Sequence, residues 1–301
     1  MSENVEPDEE GAVKEKKRTR SPGNRQAKKN QEAEGLKAEP TKPRATREDK
    51  GIPRLEERDF IVLRWILQMY AVRFDQLQRL LARHSPKKEE LADPEHVSPS
   101  TVRTHLKRWK ALGLVRYNKI LANKDNPLWC WLTPYGLRFL AFEEDQNGDP
   151  VVYTYYEPRE GDLKHLYLIN QARLYIEQSY PSYTFKSERQ LRREQSARPK
   201  AIKQRHFTDG LFFRPDGRPI ALEVERWDKA ATRLEKILAE LAQTYHRTWY
   251  FVSTRANTAI RKAHAKLPEV EQRRIQILSS EVKLQGLPPK EAEPESEISE
   301  E

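Results

Sequence analysis

The first regular pattern of apolar and polar residues lies between residues 54 and 143. Apolar residues at helical spacing predict one helix over "LEERDFIVLRWILQMY" and a shorter one over "RFDQLQRLL". A third helix is predicted from Ser98, which suits an N-cap with Pro99 in the first turn, to Gly113, which ends it. The predicted buried stripe of this third helix consists of Val102, Leu106, Trp109 and Leu112.

Two strands and a closing helix follow the third helix. The stretch "VRYNKILANKDNPLWCWLTPYG" is typical of two strands around a polar turn, and "TPYGLRFLAFEE" begins a helix with Thr133 as its cap. Three helices, a two-stranded ribbon and a further helix are the order of a winged helix-turn-helix. The pattern therefore predicts such a domain over residues 54–143.

A second ordered block is predicted over residues 162–284. It begins with the helix "DLKHLYLINQARLYIEQSY", whose predicted core side is Leu163, Leu166, Ile169 and Leu174. The stretch "TFKSERQLRRE" is expected to be extended. The stretch "FTDGLFFRPDGRPIALEVER" predicts a hairpin with strands over 206–213 and 219–226 around Pro215-Asp216-Gly217.

Two helix–strand pairs complete this second block. They are "KAATRLEKILAELAQTY" with "RTWYFVST", and "NTAIRKAHAKL" with "RIQILSS". The fully apolar "RTWYFVST" predicts a strand that is buried on both faces. We therefore expect a mixed-sheet α/β domain after the winged helix, so that the fold class of the chain is α+β and α/β.

The ends of the chain differ from the middle in composition. Residues 1–53 are rich in charged residues and almost lack large apolar ones, which predicts a disordered charged tail. The last residues, 285–301, predict a disordered acidic tail, and residues 144–161 a linker. The whole chain has 301 residues and a formal net charge of +9, which favours a polyanionic partner, with nucleic acid first.

Composition also excludes several classes of protein. There is no apolar run long enough to span a membrane and no apolar N-terminal segment, so we expect neither a membrane partner nor secretion. The single Cys130 excludes an internal disulfide and a cysteine-based zinc site. A cytoplasmic setting is therefore expected.

The charge in the third predicted helix points to DNA. Between Ser98 and Ile120 there are six basic residues and no acidic one. Arg and Lys suit phosphates and guanine edges in a major groove, and Ser and Thr suit either. The alternative is a cationic helix on a winged helix that binds protein. The predicted DNA-binding residues are Ser100, Thr101, Arg103, Thr104, Lys107, Arg108, Lys110, Arg116 and Lys119.

Three carboxylates in the second block suggest a candidate catalytic and metal site. Asp209 lies in the first hairpin strand, and Glu223 and Glu225 lie in the second, where they alternate with apolar residues as in a half-buried strand. If the hairpin brings these carboxylates together, their oxygens suit Mg²⁺ or Mn²⁺, which could activate water for attack on a phosphodiester. The alternatives are a solvated face, paired with Arg189, Arg192 or Arg193, a nuclease-like fold that no longer cuts, and an unrelated sheet.

The spacing of these acids is similar to that of the PD-(D/E)xK nuclease core, with one departure. The lysine usual in that core is here Glu225, which removes the residue that normally orients or deprotonates water. Lys229 and Arg226 are candidate substitutes. Glu177 and Glu188 are further candidate ligands.

The arrangement as a whole resembles the replication-relaxation family of bacterial plasmids and other mobile elements, which includes MobC-like mobilisation accessories. The matching stretches run from about 55 to 255 and include "TVRTHLKRWKALGLV", "LTPYGLRFL", "SERQLRRE", "FTDGLFF" and "IALEVERWDKAATRLEKIL". The family's "RPDAL" is here "FTDGL", which keeps Asp209 and places Thr208 where the family has Pro. The acid pair of the family's "EV[ED]" run falls on Glu223 and Glu225.

This resemblance implies a winged helix joined to a nuclease-like domain in a bacterial cytoplasm. Our first hypothesis is a double-stranded DNA-binding protein that is accessory to replication control or conjugative mobilisation. We expect it to be a homodimer and to have a relaxase or a replication initiator as its partner. The second is a Mg²⁺-dependent DNA endonuclease (nickase) that uses Asp209, Glu223 and Glu225. The third is a transcriptional regulator with a ligand-sensing second domain. The sequence favours the binding protein over the enzyme.

Overall fold

A computed structural model of the chain describes the middle of the sequence. The described residues are 54–120, 127–144, 153–196, 207–227 and 229–280, without the side chains of 142–144 and 196. The two predicted tails, 1–53 and 285–301, lie outside them, as do the tip between the two predicted strands and residues 145–152 of the predicted linker. None of the described helices is long and apolar enough to cross a lipid bilayer.

The first half of the described chain is a group of helices around a small sheet. Its elements are α1 (Glu57–Met69), β1 (Ala71–Arg73), α2 (Phe74–Arg83), α3 (Pro99–Ala111), β2 (Val115–Lys119), β3 (Leu128–Leu132) and α4 (Pro134–Glu144). All strand pairs are antiparallel, and the strand order is β1-β3-β2. The helices and the pair of strands predicted for this part of the chain are present.

Strand β1 is an element that the apolar pattern does not predict. It has only three residues and therefore no measurable periodicity, and it pairs with β3 through Ala71 opposite Trp131. Tyr70, which precedes it, has a φ of 68°, a left-handed conformation that is uncommon for a bulky residue. This conformation ends α1 and turns the chain directly into the strand.

The second half of the described chain is a five-stranded mixed sheet with helices. Its elements are α5 (Glu160–Ser179), β4 (Thr184–Ser187), α6 (Glu188–Ser196), β5 (Gly210–Phe213), β6 (Pro219–Glu225), α7 (Ala231–Thr244), β7 (Arg247–Val252), α8 (Thr254–His264), α9 (Glu269–Gln272) and β8 (Ile275–Ser279). The strand order is β4-β5-β6-β7-β8. The first two pairings are antiparallel and the last two parallel, which confirms the predicted mixed sheet.

Helix α6 corrects the expectation that "TFKSERQLRRE" is extended throughout. Only Thr184–Ser187 is a strand, and the helix begins at Glu188. The oxygen of the Gln190 side chain accepts from the Ser187 backbone at 2.9 Å, and the Ser187 hydroxyl accepts from the Gln190 backbone at 3.3 Å. This reciprocal capping box is legible in the sequence as Ser-x-x-Gln, and it outweighs the extended pattern.

Strand β6 corrects a second expectation. The alternation of apolar and acidic residues predicts a strand with one solvated face, but β6 is buried on both. Its Ile220, Leu222 and Val224 side belongs to the core that includes α5. The opposite face, which carries Ala221, is covered by α7 and α8.

Helix α5 connects the two halves. The four residues of its predicted core side, Leu163, Leu166, Ile169 and Leu174, are all buried. Asn170, which is fully buried on the same helix, donates to the Ala71 carbonyl of β1 at 2.9 Å. A single hydrophobic cluster contains residues of α1, α3 and α5 together with Leu222 and Trp249 of the five-stranded sheet. The division into two domains stays a prediction, but the core is continuous across it.

Candidate nucleic-acid interface and acidic cluster

Helix α3 begins at the capping residues that the sequence predicts, Ser98 and Pro99. The Ser98 hydroxyl accepts from the Thr101 backbone at 3.2 Å, and Pro99 occupies the first helical turn. Gly113 follows the helix with a φ of 72°, a conformation that glycine adopts without strain. Val102, Leu106 and Trp109 are buried, as predicted, and Leu112 is half-buried.

The opposite side of α3 and strand β2 form a surface that we call the basic face. Most of the predicted DNA-binding residues are exposed there: Ser100, Arg103, Thr104, Lys107, Lys110, Arg116 and Lys119. Thr101 is half-buried and lies beside the Ser98 hydroxyl at 2.9 Å. The side chains that could reach a ligand thus emerge from a rigid helix and the strand that follows it.

Two contacts position cations on the basic face. The Arg103 guanidinium lies 5.7 Å from the centre of the Phe74 ring, and the Lys110 ammonium lies 5.3 Å from the centre of the Tyr117 ring. Arg116 lies 3.8 Å from Glu157, but both side chains are exposed, so this ion pair contributes little stability. These cations remain accessible to a polyanion.

Arg108 differs from the other predicted DNA-binding residues. It is half-buried, and its Nη2 donates to both carboxylate oxygens of Asp59, at 2.7 and 2.5 Å, while Nη1 donates to Glu56 at 3.2 Å. The guanidinium thus already has carboxylate partners within the protein. Its prediction as a DNA contact is untested, but a role in holding α3 against α1 is visible directly.

Asp59 is the centre of this internal network. Its Oδ1 also accepts from His105 Nδ1 and from Trp109 Nε1, each at 2.8 Å. Arg58 Nη2 lies 3.0 Å from His105 Nε2. Arg108 Nη2 also lies 3.0 Å from His105 Nδ1, so a guanidinium group lies at each ring nitrogen of this histidine. Burial raises the pKa of Asp59, but the hydrogen bonds from His105, the Glu56 backbone, Arg108 and Trp109 outweigh burial and hold the pKa well below its usual range.

The hairpin register brings the predicted carboxylates to one end of the five-stranded sheet. Gly210 of β5 pairs with Leu222 of β6, which sets Asp209 beside Glu223. Asp209 Oδ2 accepts from the Val224 backbone at 2.7 Å. Its Oδ1 lies 3.2 Å from Nε2 of His165 on α5. We call Asp209, Glu223 and Glu225, with His165 and Glu188 near them, the acidic cluster.

The two glutamates of the acidic cluster are buried. Glu223 and Glu225 are each 5% exposed, so the interpretation of the pair as a solvated face is wrong. Lys229, which follows the strand, forms an ion pair with Glu225. Tyr250 of β7 lies opposite Glu223, and burial and then the charges of Glu223, Glu225 and Asp209 raise the pKa of its hydroxyl. The charges of all three predicted carboxylates therefore influence the same residue of the sheet, Tyr250.

The carboxylates of the cluster also shift the pKa values of two neighbouring groups, His165 and Glu188. Burial lowers the pKa of His165, but Asp209, Glu223 and Glu188 together outweigh it and raise the pKa above its usual value. Burial and the charge of Asp209 raise the pKa of Glu188, against the effect of its partner Arg192. His165 appears in the sequence as an isolated histidine on a helix, so no local pattern identifies it as part of the cluster.

Other residues that were predicted as ligands, substitutes or partners of the three carboxylates make different contacts. Glu177 is not in the acidic cluster, because it pairs with Arg83 on α2 and Arg173 on its own helix. Arg226 stacks on Trp227, and Arg189 donates to the Leu67 carbonyl at 2.7 Å. Among the described residues, no group of three His, Cys, Asp or Glu side chains is arranged to hold a metal ion.

Comparison with models of protein families, with curated proteins and with solved structures finds no match for this chain. The basic face and the acidic cluster must therefore be interpreted from their own chemistry.

Proposed function

We propose that this protein binds double-stranded DNA through the basic face. One observation carries the proposal: the segment 98–120 has six basic residues and no acidic one, and five of the six are exposed on α3 and β2. Such a surface attracts phosphates and releases their counterions, and Ser100 and Thr104 are exposed on it beside the cations.

The order of elements supports a winged helix-turn-helix as the frame of this surface. A short strand lies between the first two helices, α3 follows α2, and an antiparallel pair of strands comes after α3. In this proposal α3 is the recognition helix and β2–β3 the wing. The tip of the proposed wing, 121–126, lies outside the described residues.

The proposed roles of the side chains follow from their positions. Arg103 and Lys107 are exposed on α3 and are assigned to phosphates or guanine edges, and Ser100 and Thr104 to either. Thr104 also donates its hydroxyl to the Ser100 carbonyl at 3.0 Å, which leaves its oxygen able to accept. We assign to Arg108 the role of holding α3 in its orientation, through its hydrogen bonds to Asp59.

The resemblance to the replication-relaxation family supplies the setting that we propose. In that setting the protein is a DNA-binding accessory to plasmid replication control or mobilisation, and it acts as a homodimer with a relaxase or a replication initiator. Co-purification of the chain with a relaxase or a replication initiator would test the partner, and light scattering would test the dimer.

The DNA-binding proposal is tested by a charge-matched pair of double variants. R103A/K107A removes an Arg and a Lys from the basic face, while R233A/K236A removes the same two residue types from exposed positions on α7. In a mobility-shift assay with duplex DNA, we expect the first variant to bind about tenfold or more weaker and the second to bind like wild type. Equal affinity of the two variants would show that α3 is not the binding surface.

Metal-dependent cleavage of DNA is the second candidate function. The observation that favours it is the burial of Glu223 and Glu225 beside Asp209, because the cost of burying a carboxylate is offset where the carboxylate binds a cation or a proton. The three carboxylates are not arranged as a metal site in this structure, so they would have to move together to hold Mg²⁺ or Mn²⁺, which would supply activation of water and neutralisation of the phosphate. A metal ion would have to compete for carboxylate oxygens that already have partners, because Glu225 forms an ion pair with Lys229 and Asp209 accepts from the Val224 backbone. This competition favours a protein that binds DNA without cleaving it.

Supercoiled plasmid separates the two candidates. The protein is incubated with plasmid and Mg²⁺, Mn²⁺ or EDTA, beside E223Q and the exposed control E269Q. The nuclease candidate predicts metal-dependent nicking that E223Q lacks and E269Q keeps. A mobility shift without nicking in any metal would eliminate it and leave the DNA-binding proposal intact.

A further inference from the structure

A cleft between α1, α2 and α5 has an excess of positive charge. Its volume is about 430 Å³, within the range of roughly 300–1,000 Å³ that is usual for small-molecule sites. Arginines from all three helices line it: Arg64, Arg83 and Arg173. Glu177 is the one carboxylate in the lining, so the charged side chains there sum to an excess of two positive charges.

Glu177 has no capacity to neutralise all three arginines. Its Oε1 accepts from Arg173 Nε at 2.6 Å, and its Oε2 accepts from Arg83 Nη1 at 2.9 Å and from Trp65 Nε1 at 3.3 Å. Arg64 makes none of these contacts, although it lines the same cleft. Among the described residues, one carboxylate is thus shared between two guanidinium groups, and the third guanidinium, that of Arg64, has no carboxylate partner.

Arg173 is the most deeply buried of these cations. Its side chain is 6% exposed and lies between the Trp65 ring, at 4.6 Å, and the Phe185 ring, at 4.2 Å. Its Nη1 is buried and has no hydrogen-bond partner among the described residues, and the same is true of Arg64 Nε. A buried donor on a charged group that lacks an acceptor is costly, so an anion in the cleft would offset part of this cost through its charge, while neither of these two atoms is itself exposed.

We propose that this cleft is a binding site for a small phosphate-bearing anion. Guanidinium groups fit phosphate because their planar N–H groups donate to two oxygens at once, and an anion with a charge near −2 would balance the excess in the cleft. His84 also lines the cleft, but burial and then the charge of Arg83 lower its pKa, so it adds no positive charge at neutral pH.

A ligand in this cleft would contact both halves of the chain. Arg64 and Arg83 belong to the helices that pack around α3, whereas Arg173 belongs to α5, which packs on the five-stranded sheet. The inference does not depend on the proposed DNA binding, because the basic face contributes no residue to the cleft lining.

Isothermal titration calorimetry tests this site with two probes, inorganic pyrophosphate and AMP, in a low-chloride buffer. R64Q is the test variant because Arg64 is only half-buried, and R233Q, which removes an exposed arginine from α7, is the matched control. We expect saturable binding that R64Q weakens by about tenfold or more and R233Q leaves unchanged. A thermal melt without anion shows whether R64Q is folded.

The probes also distinguish the source of the phosphate. Tighter binding of AMP than of pyrophosphate identifies a nucleotide site, and equal or tighter binding of pyrophosphate identifies a site for the inorganic anion; either result supports the proposal. Absence of saturable binding of both probes, or equal binding by wild type and folded R64Q, would overturn it.

Discussion

Asp59 determines how the basic face is presented. Three side chains of α3, those of His105, Arg108 and Trp109, converge on this one carboxylate of α1. A buried carboxylate with several donors fixes the rotation of α3 about its own axis more strictly than apolar packing alone. The residues on the far side of α3 therefore point outward in one defined orientation, which a surface that reads DNA requires.

Replacement of Asp59 by Ala is expected to lower the free energy of unfolding by about 3–5 kcal/mol at neutral pH, because it leaves Arg108 and the Trp109 indole without their buried acceptor. E57A, at an exposed position two residues before it, should change stability by less than about 0.5 kcal/mol. Chemical denaturation of the three proteins measures both effects. A cost for D59A as small as that for E57A would contradict the network.

The same residue makes stability depend on pH. The pKa of Asp59 is lower in the folded than in the unfolded protein, so its contribution is fully present above the unfolded value of about 4 and is lost as the pH falls toward the folded value. The stability difference between wild type and D59A should therefore shrink steadily below about pH 5. A difference that stays constant from pH 7 to pH 3 would show that the carboxylate charge is not what stabilises α3.

Most helices and strands follow from the apolar pattern, because their buried stripes are local. Helices α3, α5 and α7 and the strands β6 and β7 lie where their periodicity predicts. Strand β1 is too short to show a period, and α6 depends on the Ser187–Gln190 cap rather than on an apolar stripe. The apolar period is thus sufficient to predict long elements and insufficient where a turn or a cap determines where an element begins.

The candidate sites are less predictable than the elements. The exposed cations of α3 follow directly from the buried stripe, but Arg108 looks equivalent to Arg103 until Asp59, far away in sequence, is placed beside it. Glu223 and Glu225 look solvated because they alternate with apolar residues, and only the packing of α7 and α8 shows that this face of β6 is buried. In each case the missing information is a contact between distant segments.

Two helical glycines, Gly136 of α4 and Gly161 of α5, are expected to respond in opposite ways to replacement by alanine. A Cβ on Gly136 of α4 would lie 2.0 Å from the Leu114 carbonyl oxygen, whereas a Cβ on Gly161 of α5 would meet nothing within 4 Å. G136A should therefore destabilise the protein by about 1–3 kcal/mol, and G161A should stabilise it by about 0.5–1 kcal/mol, because alanine is the better helix former. Opposite shifts of the melting temperature check this pair; a G136A protein as stable as wild type would contradict the close approach of α4 to Leu114.

Helix α5 contacts both halves of the described chain. This helix donates from Asn170 to β1, packs on β6, and carries both His165 of the acidic cluster and Arg173 of the cationic cleft. The proposed DNA-binding half and the sheet with the acidic cluster therefore share one core. An anion in the cleft or a change at the acidic cluster would act on elements that support α3.

The central claim, that α3 binds DNA through its cations, is tested most directly by the salt dependence of affinity. The measurement is the slope of log K against log salt for wild type, R103A/K107A and R233A/K236A on the same duplex. Each neutralised phosphate contributes about −0.9 to this slope. We expect the slope of R103A/K107A to be shallower than that of wild type by about 2, and that of R233A/K236A to equal it. The same slope for all three proteins would show that DNA, if bound, is held by another surface.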